Sequence, residues 1–171
     1  MCEMQSRIGE TIIGFSAALA LLFVGCVGGL AADDRIGVPP EKPKQENIVE
    51  QGRVVWLGEA LARRYGINSV PEAEKRILAL ETDDGRLLPL VEDVRGRAFR
   101  RDARLRAMKV ELLARRFEHT PLLQIIRVVE LQNGKRYEID YWCDICAIAM
   151  YELKPCDCCQ GPIELRRREV K

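Results

Sequence analysis

ILALETDDGRLLPLV, residues 77–91, carries the clearest secondary-structure signal in the chain. Two apolar runs, residues 77–82 and 87–91, flank Asp83-Asp84-Gly85, and Asp-Gly between apolar runs is typical of a β-hairpin. Pro89 has no N–H to donate to a strand ladder, so we expect the second strand to have a free edge there. The sequence therefore predicts a two-stranded antiparallel hairpin near the middle of the chain.

Further strands and short helices are predicted on both sides of this hairpin. Helical spacing before it stops at Gly66, and a polar, helix-compatible segment follows it. A second hairpin is predicted at Asn133-Gly134, which is a strong two-residue turn signal. The predicted strands are residues 53–57, 77–82, 87–91, 108–117, 122–131 and 136–142, and the predicted helices are residues 59–65 and 92–106.

The order of these elements places a helix between the third and fourth strands, as in the five-stranded OB-fold. We therefore predict a mainly β chain with minor α content (α+β). Its architecture is a small OB-like five-stranded barrel over residues 52–142, followed by a C-terminal hairpin and a cysteine knuckle. An SH3-like barrel and an open antiparallel sheet with one helix are the alternatives.

Composition excludes several classes of function. The chain has 171 residues, 47% of them apolar and 31% charged, which suits one ordinary globular domain. The formal net charge is +1, so no overall field attracts nucleic acid, and we expect no such partner. Because His119 is the one histidine, zinc sites with two or three histidines are excluded. The sequence has no Walker or Rossmann glycine loop, which argues against nucleotide chemistry.

Residues 1–32 predict a signal peptide or membrane anchor. The uncharged run IIGFSAALALLFVGCVGGLAA, residues 12–32, is followed directly by Asp33-Asp34. Gly29-Leu30-Ala31 supplies the small residues at which a secretory signal is cleaved. As a helix, the run would also reach about 30 Å, enough for an uncleaved anchor. A third route is a lipoprotein, with Cys26 as the lipidated residue. All three routes predict an extracytoplasmic location, periplasmic or secreted.

The segment DDRIGVPPEKPKQENIVEQ, residues 33–51, is predicted to be a flexible linker. It contains three prolines and alternating charges, and it has few large apolar residues. Prolines stiffen such a segment, and a segment with so little apolar surface does not fold alone. The folded part of the chain is therefore expected to begin at about Gly52.

The strongest chemical signal lies in the cysteine-rich tail, residues 143–171. It contains two C-x-x-C pairs, formed by Cys143, Cys146, Cys156 and Cys159. Two such pairs supply the four thiolates of a tetrahedral metal site, each about 2.3 Å from the ion. We therefore predict these four cysteines as metal ligands, with zinc as the default metal.

Two neighbouring features extend this prediction. Gly161 follows the second pair and is expected to let the chain turn tightly around the ion. The nine-residue spacer AIAMYELKP, residues 147–155, is predicted to form one or two helical turns that bring the pairs face to face. Cys158 lies inside the second pair and is a candidate extra ligand, because Cu(I) could use the same soft thiolates.

Two other chemistries compete for the same cysteines. Disulfides are natural in an exported chain, although five thiols leave one unpaired. Trp142-Cys143 followed by Cys146 is similar to the thioredoxin active-site motif, which predicts Cys143 as the attacking thiolate and Cys146 as the resolving thiol. Thioredoxin continues from that motif into a long helix and further strands, whereas few residues follow Cys146 here.

A basic stretch, residues 95–109, has seven cationic side chains and one acidic one. On a helix, the candidate anion-binding face consists of Arg97, Arg100, Arg101 and Arg104. Anionic lipid headgroups at a membrane surface or a polyanionic glycan would be the matching partners. A solvated face balanced by neighbouring acids is the simpler interpretation, since charge runs usually face water.

Two sequence patterns resemble known groups of proteins. TDDGRLLPLVED, a helix, KVEL and LLQIIRV follow one another in residues 52–131, as in small exported bacterial OB-like domains. The terminal WCxxC and CxCCQGPIEL segments are similar to those of uncharacterised exported bacterial proteins that pair a small β-domain with such a tail. The resemblance implies one compact unit and no particular activity.

The sequence therefore predicts an exported, non-catalytic binding or accessory module with a thiolate metal knuckle. The alternative is an extracytoplasmic thiol-disulfide oxidoreductase that uses the WCxxC pair.

Overall fold

The computed structural model describes residues 41–170, and Glu41–Lys171 forms one compact unit. The predicted signal or anchor and residues 33–40 of the predicted linker lie outside the described residues. Within the described part, no helix is both long and apolar enough to cross a bilayer.

Eight strands and four short helices make up the described residues. The strands are β1 Gln45–Trp56, β2 Leu78–Thr82, β3 Leu87–Pro89, β4 Val110–Phe117, β5 Leu123–Gln132, β6 Lys135–Cys143, β7 Ile148–Met150 and β8 Glu164–Glu169. The helices are α1 Leu57–Tyr65, α2 Pro71–Glu74, α3 Val94–Arg101 and α4 Ala103–Ala107. The prediction of a mainly β chain with minor α content is confirmed.

The strands form one antiparallel sheet in the order β3-β2-β1-β4-β5-β6-β7, with β8 paired to β6. Tyr137 and Glu138 pair with β5 and β8, whereas Tyr141 and Trp142 pair with β7 and β8. Since a strand has two edges, β8 covers one edge of β6 while β5 and β7 share the other. Strand β6 is therefore the centre of the C-terminal half of the sheet.

The sheet is open, so a closed five-stranded barrel is not confirmed. In the described residues, β3 and β5 share no ladder, and a single parallel bridge joins Leu90 to Leu123. The N–H of Val91 donates to the Leu123 carbonyl at 2.8 Å. The predicted hairpins are both present: β2 pairs with β3, and β5 pairs with β6 through Asn133 and Gly134, both at positive φ.

The linker prediction is wrong for residues 45–51, because β1 begins at Gln45. This half of β1 pairs with β4 alone and is largely exposed. Its strand conformation is stabilised by the backbone ladder and by ion pairs such as Glu46 with Arg116 and Glu50 with Arg86. A strand held in this way does not require the large apolar residues that the segment lacks.

The helix predicted over residues 92–106 is divided at Asp102. Asp93 caps α3 by accepting from the N–H groups of Arg95 and Gly96. Asp102 has extended backbone angles, ends α3 and caps α4 by accepting from the N–H of Arg104. The side chain of an aspartate can accept hydrogen bonds from nearby backbone N–H groups, and this competes with the hydrogen bonds of a continuous helix. The competition explains the break at Asp102.

The hydrophobic core lies between the sheet and the α3–α4 pair. Phe99 and Leu105 are the deeply buried side chains of these helices. Cys143 and Cys156 belong to the same core cluster. The predicted boundary between residues 142 and 143 is therefore wrong, since the cysteine segment packs into the core and β8 completes the sheet.

Candidate metal centre

The structure brings the four predicted ligands together. The Sγ atoms of Cys143, Cys146, Cys156 and Cys159 all lie within 4.8 Å of one another, and Cys143 and Cys159 approach to 3.5 Å. Four sulfurs about 2.3 Å from one ion would be about 3.8 Å apart in a tetrahedron. The observed spread requires only small side-chain adjustments to reach that geometry.

Both C-x-x-C pairs form the same backbone turn. The N–H of Ala147 donates to the Cys143 carbonyl at 2.8 Å, and the N–H of Gln160 donates to the Cys156 carbonyl at 2.9 Å. Ala147 and Gln160 each have left-handed backbone angles, with φ of 54° and 58°. We call residues 143–161, which contain the two turns, the cysteine knuckle.

Gly161 has a different role from the predicted one. Gln160, not Gly161, has the positive φ that ends the second turn. Gly161 instead approaches the sulfurs closely: its N–H lies 3.4 Å from the Cys159 Sγ and points towards it. A Cβ at this position would lie 3.2 Å from the same sulfur and 3.1 Å from Ile145 Cδ1. The absence of a side chain therefore allows this backbone approach.

The spacer between the pairs is not helical. It contains β7, whose Met150 pairs with Tyr141 of β6 and is buried. Strand pairing returns the chain alongside β6, so the second turn reaches the first without a helix. The helical prediction for residues 147–155 is wrong because the short run Ile148–Met150 completes a sheet edge.

Backbone donors and burial set the acidity of the thiols. The N–H groups of Cys159 and Cys158 lower the pKa of Cys156 to about 7. The Cys146 N–H acts in the same direction on Cys143, but burial and the neighbouring thiols raise the pKa of Cys143 overall. The neighbouring thiols, with Cys158 the foremost, raise the pKa of Cys146. Crowded thiols of this kind favour one shared cation, which removes their protons.

Cys158 lies beside the cluster but outside the set of four. Its side chain is exposed, and it interacts with the Cys146 thiol. All five cysteines of the described residues are free thiols. Two of the five thiols, Cys158 and Cys159, are exposed, and of these two only Cys159 belongs to the converging set.

A buried carboxylate joins the cysteine knuckle to α3. The Glu152 side chain is 1% exposed, and its Oε2 accepts from Arg97 Nη2 at 2.6 Å. Arg101 Nε lies 2.5 Å from the other oxygen of Glu152. Two residues of the predicted anion-binding face are thus used to fix the knuckle in place.

The other two arginines of that face also have internal partners. Arg100 pairs with Glu92, donates to the carbonyls of Lys75 and Arg76, and lies 4.8 Å from the Trp56 ring centroid. Arg104 pairs with Asp102 at 2.7 Å. The structure therefore distributes the four arginines over three internal carboxylates and does not gather them around one external anion.

Sequence reasoning missed Ala147, Gln160 and Glu152. The first two each follow the second cysteine of a C-x-x-C pair, and this shared position was the available signal. Glu152 gave no signal, because its burial depends on long-range packing against α3.

No protein-family model, curated protein or solved structure matches the chain.

Proposed function

We propose that this chain is an exported, non-catalytic accessory module whose fold is completed by a metal ion bound to the cysteine knuckle. The observation that carries the proposal is the convergence of four Sγ atoms within 4.8 Å, from two turns of the same design. Structural metal sites are built in this way, with protein ligands in all four positions.

Burial supports a structural role over a catalytic one. Cys143 and Cys156 are fully buried and belong to the hydrophobic core. A catalytic metal needs a position open to water or substrate, and a set of four thiolates leaves none. The site would therefore contribute folding free energy and no chemistry at the ion.

Zinc is the metal that the ligand set favours. Four thiolates in tetrahedral positions suit zinc, which requires no redox chemistry. Cu(I) is the second candidate, because Cys158 lies next to Cys146 and could add a soft ligand.

The oxidoreductase alternative has less support. An attacking thiolate must be accessible and have a lowered pKa. Cys143, the residue predicted for that role, is buried and has a raised pKa. A structural metal ligand has no need of either property, so the metal site accounts for Cys143 better.

The binding domain and the location are part of the same proposal. An OB-like relationship is supported by the strand order β3-β2-β1-β4-β5, by helices between β3 and β4, and by the parallel bridge from Leu90 to Leu123. An extracytoplasmic location is supported by the uncharged run of residues 12–32, which suits a cleaved signal, an anchor or a lipoprotein leader.

Metal content and thiol accessibility test the proposal directly. The unit Glu41–Lys171 would be purified without chelator or reductant, and metal and reactive thiols would be counted before and after chelation. We expect one zinc per chain, with Cys158 as the one reactive thiol and all five reactive after chelation. Cys158→Ser should retain the zinc and Cys146→Ser should lose it. A metal-free protein with bridged cysteines would refute the metal site.

A further inference from the structure

A cavity lies among helices α3 and α4 and strands β4, β5 and β6, and none of the four candidate cysteine ligands lines it. Its volume is about 180 Å³, and it is partly open to solvent. An apolar cavity of about 150 Å³ is already large enough to bind a benzene-sized molecule. Its floor is apolar and is formed by Ala98, Phe99, Leu105, Leu113, Val128 and Ile139. An apolar floor of this size can take the hydrocarbon part of a small molecule.

A β-bulge shapes one wall of this cavity. Leu113 pairs with Arg127 and Ala114 pairs with Ile125, so Ile126 has no partner on β4. Ile126 and Arg127 are neighbours in sequence, yet both line the cavity. Bulges bring consecutive side chains together in this way and recur beside binding sites. The bulge therefore adds an arginine to the rim of an otherwise apolar cavity.

Within the described part of the chain, two arginines of the rim form no internal ion pair. Neither Arg127 nor Arg95 has a carboxylate within salt-bridge distance among the described residues, in contrast to Arg97, Arg100, Arg101 and Arg104. The Arg95 guanidinium lies over the Tyr151 ring, 3.8 Å from its centroid. Stacking on an aromatic ring orients a guanidinium and leaves its N–H groups available to an anion.

The two acidic residues of the rim are already neutralised. Asp140 is paired with Arg166 at 2.8 Å, and Glu138 is paired with Arg168 at 3.1 Å. Both partners come from β8, outside the cavity lining. The charge left for a ligand is therefore positive.

We propose that this arginine-rimmed cavity binds a small molecule with an apolar body and a single carboxylate or phosphate headgroup. The body packs on the floor around Phe99, and the headgroup is held at the rim by Arg95 and Arg127. Guanidinium groups match the planar carboxylate and the phosphate oxygens. This inference adds a ligand site to the proposed accessory module. None of the metal ligands lines the cavity, and the cysteine knuckle contributes Tyr151, on which Arg95 stacks.

Calorimetric titration with three probes tests the ligand class. The probes are decanoate, decyl phosphate and decanol, which share a chain and differ in the headgroup. We expect the better of the two anions to bind at least about 10-fold more tightly than decanol, a difference of about 1.4 kcal/mol. The ranking of decanoate against decyl phosphate identifies the headgroup. Equal affinity for decanol and both anions would overturn the role of the arginines.

Matched variants locate the site. The double variant Arg95→Gln and Arg127→Gln should lower the affinity for the anions to that of decanol and leave decanol binding unchanged. Arg116→Gln, which removes the same charge on β4 outside the cavity, should leave all three affinities unchanged. Ile126→Trp should fill the cavity and weaken all three probes, with near-ultraviolet circular dichroism as the check on folding.

The outcomes separate this proposal from the metal site. Metal content would be measured in every sample. A variant that keeps its metal but no longer binds the probes would therefore have lost the cavity site alone. Absence of binding by all three probes, or unchanged anion binding in the arginine double variant, would overturn the proposal. A metal-free protein that still binds decanoate would leave the cavity assignment standing and refute the metal site.

Discussion

Gly161 is the residue whose size matters most at the cysteine knuckle. Its N–H points to the Cys159 sulfur, and its carbonyl accepts from the N–H of Cys156 at 2.9 Å. It therefore contacts both cysteines of the second pair through backbone atoms alone. Any side chain at this position would occupy space between Ile145 and Cys159.

We expect Gly161→Ala to weaken zinc binding by about 10-fold. Losing a contact that supports a metal ligand typically lowers metal affinity by about 10- to 100-fold, and this value is the lower end of that range. The new methyl group would press on a sulfur that must keep its position, whereas the exposed Ile145 side chain can move. Competition with a chromogenic chelator measures the affinity.

Gly66→Ala is the matched control for this substitution. Gly66 has a φ of 67° with open space around it, so alanine there is strained without touching the knuckle. That variant should lose about 1 kcal/mol of stability and keep its zinc affinity. Equal zinc affinities for wild type and Gly161→Ala would contradict the steric role.

Tyr141 and Asp102 form a buried hydrogen bond between β6 and the junction of the two helices. The Tyr141 hydroxyl donates to Asp102 Oδ2 at 2.8 Å. Burial opposes ionisation of Asp102, but hydrogen bonds from Arg104 and Tyr141 outweigh it, so its pKa lies below the ordinary 3.8. Asp102 therefore stabilises the fold above the pKa of the unfolded chain, and this contribution is lost as the pH falls through the lower, folded pKa.

We expect Tyr141→Phe to reduce the free energy of unfolding by about 1–2 kcal/mol at pH 7, because a buried acceptor loses its donor. The difference from wild type should shrink as the pH falls through the lowered pKa of folded Asp102, where its carboxylate becomes protonated. Urea unfolding at pH 7 and at about pH 2 measures both values. Tyr137→Phe, on the same strand, is the control and should have little effect. A loss that is equal at both pH values would argue against ionised Asp102 as the partner.

At the residue scale, sequence predicts ligands better than it predicts their supports. The four cysteines were identifiable because their spacing has a chemical meaning at short range. Glu152 was not identifiable, because an isolated glutamate in a polar segment normally faces water. Only the packing of α3 against the knuckle buries it.

At the scale of elements, the cysteine knuckle is tied to α3 by charge and to β6 by pairing. Glu152 contacts Arg97 and Arg101, one helical turn apart on α3. Its own segment directly follows β7, which pairs with the end of β6. Helix position and knuckle position are therefore linked through one carboxylate.

We expect Glu152→Gln to lower the melting temperature by about 3–8 °C, because two guanidinium groups lose their shared anion inside the fold. Thermal unfolding followed by circular dichroism measures the change. Glu169→Gln is the control: it removes an exposed ion pair with Lys135 and should shift the melting temperature by no more than about 1 °C. Similar shifts in melting temperature for the two variants would show that the burial of Glu152 does not increase the stability of the fold.

Element boundaries were predicted where local turn chemistry determines them. Both hairpins follow from Asp-Gly and Asn-Gly turns, and the end of α1 follows from Gly66 in a left-handed cap. Strand β8 was missed because ELRRRE has the composition of a solvated segment. Its arginines are paired with acids on other strands, and such cross-strand pairing leaves no trace in local periodicity.

At the scale of the whole molecule, the knuckle and the sheet share one hydrophobic core. Cys143 and Cys156 lie in the same cluster as Phe99 and Leu112. Strand β8, which follows the second turn, pairs with β6, which precedes the first. Loss of the knuckle would therefore be transmitted to the sheet and would not stop at a domain boundary.

We expect removal of zinc by a chelator to lower the melting temperature of the entire unit by about 10 °C or more, in a single transition. Differential scanning calorimetry with and without chelator measures the transition, and the zinc-loaded Cys158→Ser variant is the control. A sheet that melts at an unchanged temperature after metal removal would indicate an independent tail.

The fold class was predictable, but the closure of the sheet was not. Alternation and turns predict antiparallel strands, whereas the single bridge between Leu90 and Leu123 depends on how far the sheet twists and curls. The predicted domain boundary between residues 142 and 143 was wrong for a related reason. Long-range pairing joined two segments that composition had separated.

The return of β8 to β6 has a consequence during protein synthesis. The ribosome produces β6 first, then the two cysteine turns, and only afterwards β8. During that interval one edge of β6 has no partner, and an open edge can pair with other nascent chains. A metal that draws the turns together would shorten this interval by directing β8 to its place. The speed of metal capture would then matter for avoiding aggregation, separately from the affinity of the finished site.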